Sequence, residues 1–228
     1  MNIKGMMRKY FLIMGLLSIT GNVLHAQQTA TDFFNISLKA FKYRDYSNVI
    51  FFANKAIELN PKYAGAYWNL AIAYDCLGEY RKSLDKYSSA MALYDNDADL
   101  SVLHKNRGMV YISICQFDSA LYDFNTAIAM KPDNSFAIWN KGLAYDGKKM
   151  YDSAIANYTH ALTFFAAGND RNQLLILRGQ DYKRMGKNAK SDSDFQDIVK
   201  QTTAPDYFTA QAKFLMGDTK GAENEISK

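Results

Sequence analysis

The sequence predicts an all-α fold, a solenoid of stacked helix–turn–helix units with about five full repeats and a C-terminal capping unit. Three observations lead to this prediction. The sequence repeats with a period of about 34 residues, apolar residues recur at helical spacing, and turn-forming residues stand at the ends of the units. No segment of the chain has the alternating pattern that is typical of a strand.

The period is clearest in three segments that begin at Asn69, Asn106 and Asn140, each of which reads Asn-x-small-x-x-Tyr. Asn106 and Asn140 are one period apart, whereas the step from Asn69 to Asn106 is longer, which indicates a short insertion around Ala98–Leu100. Weaker copies precede and follow these segments. The predicted repeats are residues 30–63, 64–97, 101–134, 135–168, 172–204 and 205–228.

Each repeat is predicted to form two amphipathic helices. In the second half of the third repeat, Ala120, Phe124, Ala127 and Ile128 follow one another at steps of four, three and one positions, which places them on one helical face. Pro61 follows the segment AIELN and disfavours further helix, as does Pro132 after AIAMK.

Acidic residues stand where short turns lead into the second helices. Asp118, Asp152 and Asp218 occupy these places. Because side-chain oxygens of Asp accept hydrogen bonds from the first free N–H groups of a helix, we expect all three to begin helices in this way.

Small residues share one position on the first helices: Ala71, Gly108, Gly142 and Gly179. A Gly inside a helix costs about 1 kcal/mol relative to Ala, so its recurrence indicates a steric requirement. We expect the missing side chains to let the two helix backbones of a repeat approach closely, with aromatic residues filling the space between successive repeats.

This pattern resembles that of the tetratricopeptide repeat (TPR) family. The second repeat carries the family's residues best, and Asp95 stands where the family has Pro. The third and fourth repeats depart at the position of the family's Leu, which is Arg107 and Lys141 here. The matching residues of the second repeat are Tyr67, Leu70, Ala71, Tyr74, Ser83, Tyr87 and Ala90. The resemblance covers residues 30–228, is strongest over 64–166, and implies a right-handed solenoid.

The N-terminal segment, residues 1–26, has the layout of a secretory signal peptide. Lys4, Arg8 and Lys9 precede an apolar run over Tyr10–Ile19, and the predicted cleavage follows Ala26. We therefore expect an exported protein, periplasmic or secreted, whose solenoid domain spans residues 27–228 and has no membrane span. An uncleaved N-terminal anchor is the alternative.

Charge argues against nucleic acid as a partner. The chain has 27 basic and 23 acidic residues, and three of the basic ones lie in the leader. The mature chain then has 24 against 23, a net charge of +1, which leaves no excess of positive charge for a phosphate backbone.

The stretch GLAYDGKK, from Gly142 to Lys149, is close to a phosphate-binding loop. That motif requires a Ser or Thr where this chain has Lys149, and a strand before the loop. Since Gly142 is predicted to lie inside a first helix, we interpret the stretch as a helix and its turn, with no nucleotide bound.

Residues for catalysis or metal binding are sparse. His104 and His160 stand alone, and the acidic segment 191–197 lacks the Gly and the closing Glu of a calcium loop. We therefore predict no enzyme activity, cofactor or metal. Cys76 and Cys115 are either two free thiols, which helix spacing favours, or one disulfide, which an exported protein permits.

The resemblance implies that the first helices line a concave surface that binds partners. The family's positions correspond here to Phe34, Leu38, Phe41, Trp68, Ile72, Asp75, Lys105, Met109, Phe136, Trp139, Leu143 and Asp146. They also include Lys42, Cys76, Ile112, Ile176, Gln180, Lys183 and Arg184. The alternative is that the aromatic residues of this set are buried between helices.

These observations predict a non-enzymatic scaffold that binds a peptide or helix of a protein partner in the concave groove. Trp68 and Trp139 share one position and are the expected hot spots, with Asp75 and Asp146 nearby. The alternative is a structural or regulatory subunit of an envelope complex or envelope enzyme that self-assembles, as a homo-oligomer, through the ends of the stack. A polar C-terminal cap with Lys213, Lys220 and Glu223 would limit such assembly.

Overall fold

A computed structural model describes residues 28–201 and 206–226, and within these ranges all regular structure is helical and no strand occurs. The predicted signal peptide lies outside the described residues. The helices are α1 (Ala30–Lys42), α2 (Tyr46–Leu59), α3 (Ala64–Cys76), α4 (Tyr80–Met91), α5 (Asp97–Ser113), α6 (Phe117–Met130), α7 (Ser135–Gly147), α8 (Tyr151–Leu162), α9 (Asn169–Arg184), α10 (Asn188–Gln201), α11 (Tyr207–Leu215) and α12 (Thr219–Ile226).

Consecutive helices pack as antiparallel pairs, from α1 with α2 to α11 with α12, and each second helix also packs on the first helix of the next pair. First helices contact one another directly, as in α1 with α3 and α5 with α7. The core runs along the stack as a series of apolar clusters between neighbouring pairs. The predicted all-α stack of helix–turn–helix units is confirmed.

Helix boundaries recur after every second pair. The first and last residues of α6, α7 and α8 follow those of α2, α3 and α4 at one constant distance along the chain, which is the distance from Tyr80 to Tyr151. The bounds of α10 follow those of α6 at the same distance. We call this the double-repeat spacing. The extra residues between Asn69 and Asn106 are the loop after α4 and the added first turn of α5. The structural unit is therefore a double repeat, in which a short connection alternates with a longer one.

Each turn from a first to a second helix contains one residue with positive φ. In the fourth repeat this residue is Lys149, with φ of 60°. Its N–H donates to the carbonyl of Asp146 at 2.7 Å, and the N–H of Met150 donates to that of Tyr145 at 2.9 Å, so the stretch GLAYDGKK ends α7. The equivalent residues are Arg44, Gly78, Cys115, Gly186 and Gly217.

The small residues of the first helices make room for aromatic rings rather than for a helix backbone. A Cβ on Gly142 would lie 2.5 Å from the ring of Tyr158, which belongs to the second helix of the same repeat. The expected steric requirement is therefore confirmed, and the group that requires it is a ring of the second helix, while the close approach of the two backbones stays a prediction. The three pairs are Gly108 with Phe124, Gly142 with Tyr158 and Gly179 with Phe195.

Two of the three predicted helix-starting acceptors were wrong. Asp218 accepts a hydrogen bond from the backbone N–H of Gly221 at 2.9 Å, as predicted. Asp118 and Asp152 instead lie inside the first turns of α6 and α8, where they form ion pairs with Lys148 and Lys187 of the next turns along the stack. These side chains connect neighbouring repeats.

Arg107, which stands at the position of the family's Leu, has a structural role. Its guanidinium binds both carboxylate oxygens of Asp123 at 2.8 Å and donates to the Ser88 hydroxyl at 3.0 Å. His104 contacts the same carboxylate at 2.8 Å. Burial alone raises the pKa of Asp123, but the hydrogen bonds from Arg107 and His104 outweigh burial, and the pKa lies below its usual value.

The same arrangement returns one double-repeat spacing later. Arg178 binds both oxygens of Asp194 at 2.9 and 2.7 Å and donates to the hydroxyl of Thr159 at 3.0 Å. In both copies an Arg on the first helix joins its own second helix to the second helix of the preceding repeat. These two Arg–Asp pairs form a polar layer that recurs with the double repeat.

Candidate functional site

A groove of about 510 Å³ lies between the first helices α1 and α3 and the loop that follows α4. Six of the residues predicted for the binding face line it, and Lys42 is its single charged lining residue within the part of the chain that the structure describes. The lining residues are Phe34, Leu38, Phe41, Lys42, Gly65, Trp68, Asn69, Ile72 and Tyr94.

Helical spacing explains why these side chains converge. Phe34, Leu38 and Phe41 follow one another at steps of four and three positions on α1, and Trp68 and Ile72 are four positions apart on α3, so each set lies along one face of its helix. Because α1 packs directly on α3, the two faces meet. The groove has a half-buried aromatic wall and an exposed rim.

Gly65 keeps the wall open. The ring of Phe34 packs on Tyr63, with 5.0 Å between ring centroids, and a Cβ on Gly65 would lie 3.0 Å from the Phe34 ring. That distance is tight, so a larger residue at position 65 would displace Phe34 or occupy the groove.

Tyr94 completes the site and was missed by the sequence analysis. It lies in the loop after α4 and meets Trp68 edge-on, with centroids 6.0 Å apart and an interplanar angle of 85°. The signal that could have found it is the double-repeat spacing, which separates Trp68 from Trp139 and also Tyr94 from Phe165.

The second set of predicted residues forms an equivalent site with one additional ring, Phe136, which is itself 44% exposed. Phe136 stacks on Trp139 with centroids 6.0 Å apart at 19°, and Phe165 meets both rings edge-on at 5.5 and 6.2 Å. Trp139 and Leu143 also pack against the core cluster between α7, α8 and α9. The ring of Phe136 therefore covers the tryptophan that corresponds to Trp68.

Two further predicted residues lie beside this counterpart, on α5. Met109 is exposed and takes the place of Leu38, and Lys105 takes that of Phe34. Burial lowers the pKa of Lys105. The structure thus divides the predicted binding face into an open apolar groove and a filled, partly charged copy of it.

The two predicted carboxylates differ in their surroundings. Asp75 is half-buried at the end of α3, its pKa is raised by burial, and no cation pairs with it within the described residues. Asp146 accepts a hydrogen bond from Arg184 at 2.9 Å, and Arg184 also binds Asp181 at 2.6 Å. Burial, followed by the charge of Asp146, raises the pKa of Asp181 to about 6.

The thiols of Cys76 and Cys115 are both free and exposed. Over residues 28–201 and 206–226, no group of three or more His, Cys, Asp or Glu residues could hold a metal ion. None of the helices in these ranges has the length and apolar character needed to cross a membrane.

The C-terminal pair differs from the predicted polar cap. Lys213 pairs with Glu225, but residues of α11 and α12 also line a concavity of about 370 Å³. Its walls include the largely exposed rings of Tyr207 and Phe214. The end of the stack is therefore apolar as well as charged.

Comparison with protein families agrees with this architecture. Residues 52–85 and residues 137–165 each match a family model described as a tetratricopeptide repeat. Two segments of the chain therefore match tetratricopeptide repeats.

One curated relative is subunit 3 of the anaphase-promoting complex of Schizosaccharomyces pombe, 30% identical over 122 residues, which is 52% of this chain and 17% of that protein. The chain thus spans a small part of this relative. A tetratricopeptide repeat protein from Parabacteroides merdae superposes with a TM-score of 0.70 at 16% identity, over 93% of this chain and 82% of the other. YrrB, described as a tetratricopeptide repeat protein with an unusual peptide-binding site, superposes with a TM-score of 0.61 at 16% identity, over 92% and 96%. These similarities establish the fold.

Proposed function

We propose that this protein is an exported, non-enzymatic scaffold that binds a peptide or helix of a protein partner in the groove between α1 and α3. The observation that carries the proposal is the groove itself, in which exposed and half-buried apolar side chains surround Trp68. Tetratricopeptide repeat proteins generally serve as interaction scaffolds. The solved neighbour YrrB is described as having a peptide-binding site, which supports a peptide ligand.

The size and chemistry of the groove favour a short segment of chain. Its volume of about 510 Å³ falls within the range of sites that enclose small ligands, and admits a few side chains rather than a folded domain. A Trp in an apolar concavity is a typical hot spot of protein recognition. The groove therefore suits an apolar segment that leaves its polar backbone at the rim.

A peptide library selected against the intact chain tests this function. Peptides that bind the wild type are expected to lose binding in Leu38→Glu, because that side chain is 44% exposed and lines the groove. The matched control is Phe51→Glu, since Phe51 is 54% exposed but lies on α2, away from the groove. Equal binding by the two variants would refute the groove as the binding site.

Export rests on the pattern of residues 1–26, with a basic head, an apolar run and Ala26 before the predicted cleavage. The proposed location is the periplasm or the exterior of the cell. A fusion of residues 1–30 to alkaline phosphatase should be active outside the cytoplasm and lose its leader. Replacing Leu16 and Leu17 with Arg should keep the reporter inside, and an unchanged outcome would contradict the proposal.

A second candidate function, self-assembly as a structural or regulatory subunit, is favoured by the C-terminal concavity. Tyr207 and Phe214 are 70% and 63% exposed beside it. If this surface joins copies of the chain, sedimentation should show oligomers that grow with concentration and disappear in Phe214→Glu. A monomer at every concentration would remove this candidate and leave the scaffold proposal intact.

A further inference from the structure

We propose that the groove receives an aromatic side chain of the partner, whose ring lies over Trp68 in the place that Phe136 takes over Trp139. This inference rests on the proposed function and identifies the chemistry of the partner. It follows from comparing the two halves of the double repeat.

The sites around Trp68 and Trp139 are equivalent. Trp68 and Trp139 occupy the same place in α3 and α7, two helices whose bounds both differ by the double-repeat spacing. Each Trp is met edge-on by a ring from the longer loop. The centroids are 6.0 Å apart at 85° for Trp68 with Tyr94, and 6.2 Å apart at 80° for Trp139 with Phe165.

The Trp139 site has a stacked aromatic ring that the Trp68 site lacks. Phe136 is the second residue of α7, and its ring stacks on Trp139 and contacts Phe165. The second residue of α3 is Gly65, which has no side chain to place there. Gly65 and Trp68 both line the open groove, and among the described residues no ring is stacked on Trp68.

No other ring of the described chain takes this place. Phe34 is the nearest side chain to Gly65, but its ring packs on Tyr63. Among the described residues, the ring contact of Trp68 is with Tyr94 alone. The Trp68 site therefore has an edge-on partner and lacks a stacked one.

The group that would complete the Trp68 site is an aromatic ring. Aromatic rings favour offset-stacked and edge-on arrangements, and a ring at this place would make one of each, with Trp68 and Tyr94. An aliphatic side chain would bury apolar area but gain neither arrangement. The geometry of the filled site thus indicates a Phe or Tyr anchor in the partner.

The direct test uses two small probes, N-acetyl-phenylalaninamide and N-acetyl-leucinamide. The chain has two Trp, so the Trp139→Phe variant assigns the indole N–H resonances in an NMR titration. We expect the phenylalanine probe to shift the Trp68 resonance saturably and to bind roughly two- to tenfold more tightly than the leucine probe. Equal affinities, or no saturable shift, would overturn the aromatic anchor.

A reciprocal exchange supplies the matched control. The double variant Phe34→Lys with Gly65→Phe carries two residues of the filled site, Lys105 and Phe136, at their equivalent positions, and should lose the probe while retaining its helical spectrum. Phe136→Gly should open the second site, so that the probe also shifts Trp139; Phe136→Ala repeats this test with less loss of helix propensity. Unchanged probe binding in the double variant would overturn the proposal. The proposal would also be overturned if the probe did not shift the Trp139 indole N–H resonance in either folded Phe136 variant.

These outcomes are distinct from failure of the proposed function. If library peptides bind in a manner that depends on Leu38 but carry only aliphatic residues, the scaffold function stands and the aromatic anchor is wrong. If no peptide depends on Leu38, the proposed function itself fails.

Discussion

The positive-φ turns allow a stability prediction in which equivalent positions respond with opposite signs. Lys149 and Gly186 occupy the same place in the turns that end α7 and α9, with φ of 60° and 70°. Lys149→Gly should stabilise the protein, and Gly186→Ala should destabilise it. Lys149 is exposed and takes part in no ion pair within the described residues, and a Cβ on Gly186 would meet nothing within 4 Å, so packing contributes little to either change.

The magnitude follows from two opposing terms. A left-handed conformation costs a residue with a side chain about 1–2 kcal/mol relative to Gly. Glycine in turn loses more entropy on folding, by about 0.4–1 kcal/mol. The free energy of unfolding should therefore rise by about 0.5–1 kcal/mol in Lys149→Gly and fall by a similar amount in Gly186→Ala.

Urea unfolding followed by circular dichroism measures both changes. The control is Lys148→Gly, because Lys148 has φ of −81° and the right-handed conformation. There glycine brings no relief of strain and also removes the ion pair with Asp118, so the free energy of unfolding should fall by about 1 kcal/mol. A loss of stability in Lys149→Gly, or a gain in Gly186→Ala, would show that these turns are not strained in the way inferred.

Three other perturbations test the interior of the stack. Asp123→Ala leaves the guanidinium of Arg107 without its carboxylate, so the free energy of unfolding should fall by about 3 kcal/mol; a fall below about 1 kcal/mol would contradict a buried pair. Gly142→Ala forces a methyl group against the Tyr158 ring and should cost about 1–3 kcal/mol, against a gain of about 1 kcal/mol in helix propensity; net stabilisation would contradict the contact. Asp181 has a pKa of about 6 in the folded protein, above its unfolded value, so the wild type should lose stability as pH rises from about 4 to about 6. Asp181→Asn should remove that loss, and an unchanged pH profile would refute the assignment.

Helical periodicity predicted the helix pairs and the apolar residues on one face of each first helix. The resemblance to the tetratricopeptide repeat family grouped Phe34, Leu38 and Phe41, and all three line one groove because side chains three and four positions apart meet on a helix. Helical periodicity could not find Tyr94 or Phe165, since loop residues belong to no helical face. These two rings lie in the longer connections of the double repeat, whereas the insertion predicted around Ala98–Leu100 falls in the first turn of α5.

The charged residues show a second limit of periodicity. Arg107 breaks the apolar pattern of a first helix, and such a position predicts a poorer repeat when each helix is considered alone. The structure pairs it with Asp123 on the following helix, and it pairs Arg178 with Asp194 at the same sequence distance. A search for charge pairs that recur at a fixed distance would have found this layer, whereas a search for apolar residues excludes it.

The comparison of the two Trp sites separates what the backbone decides from what the side chains decide. The helices that carry Trp68 and Trp139, α3 and α7, have the same length, as do α4 and α8 that follow them, and each Trp meets an aromatic ring edge-on. Their backbones therefore do not explain why one site is open and the other is filled. The difference comes from individual residues, above all Gly65 against Phe136 in the first turn of the helix. If the proposed aromatic anchor is correct, substitutions at positions 65 and 136 should change which Trp site is open, because both positions lie in the first turns of helices of equal length.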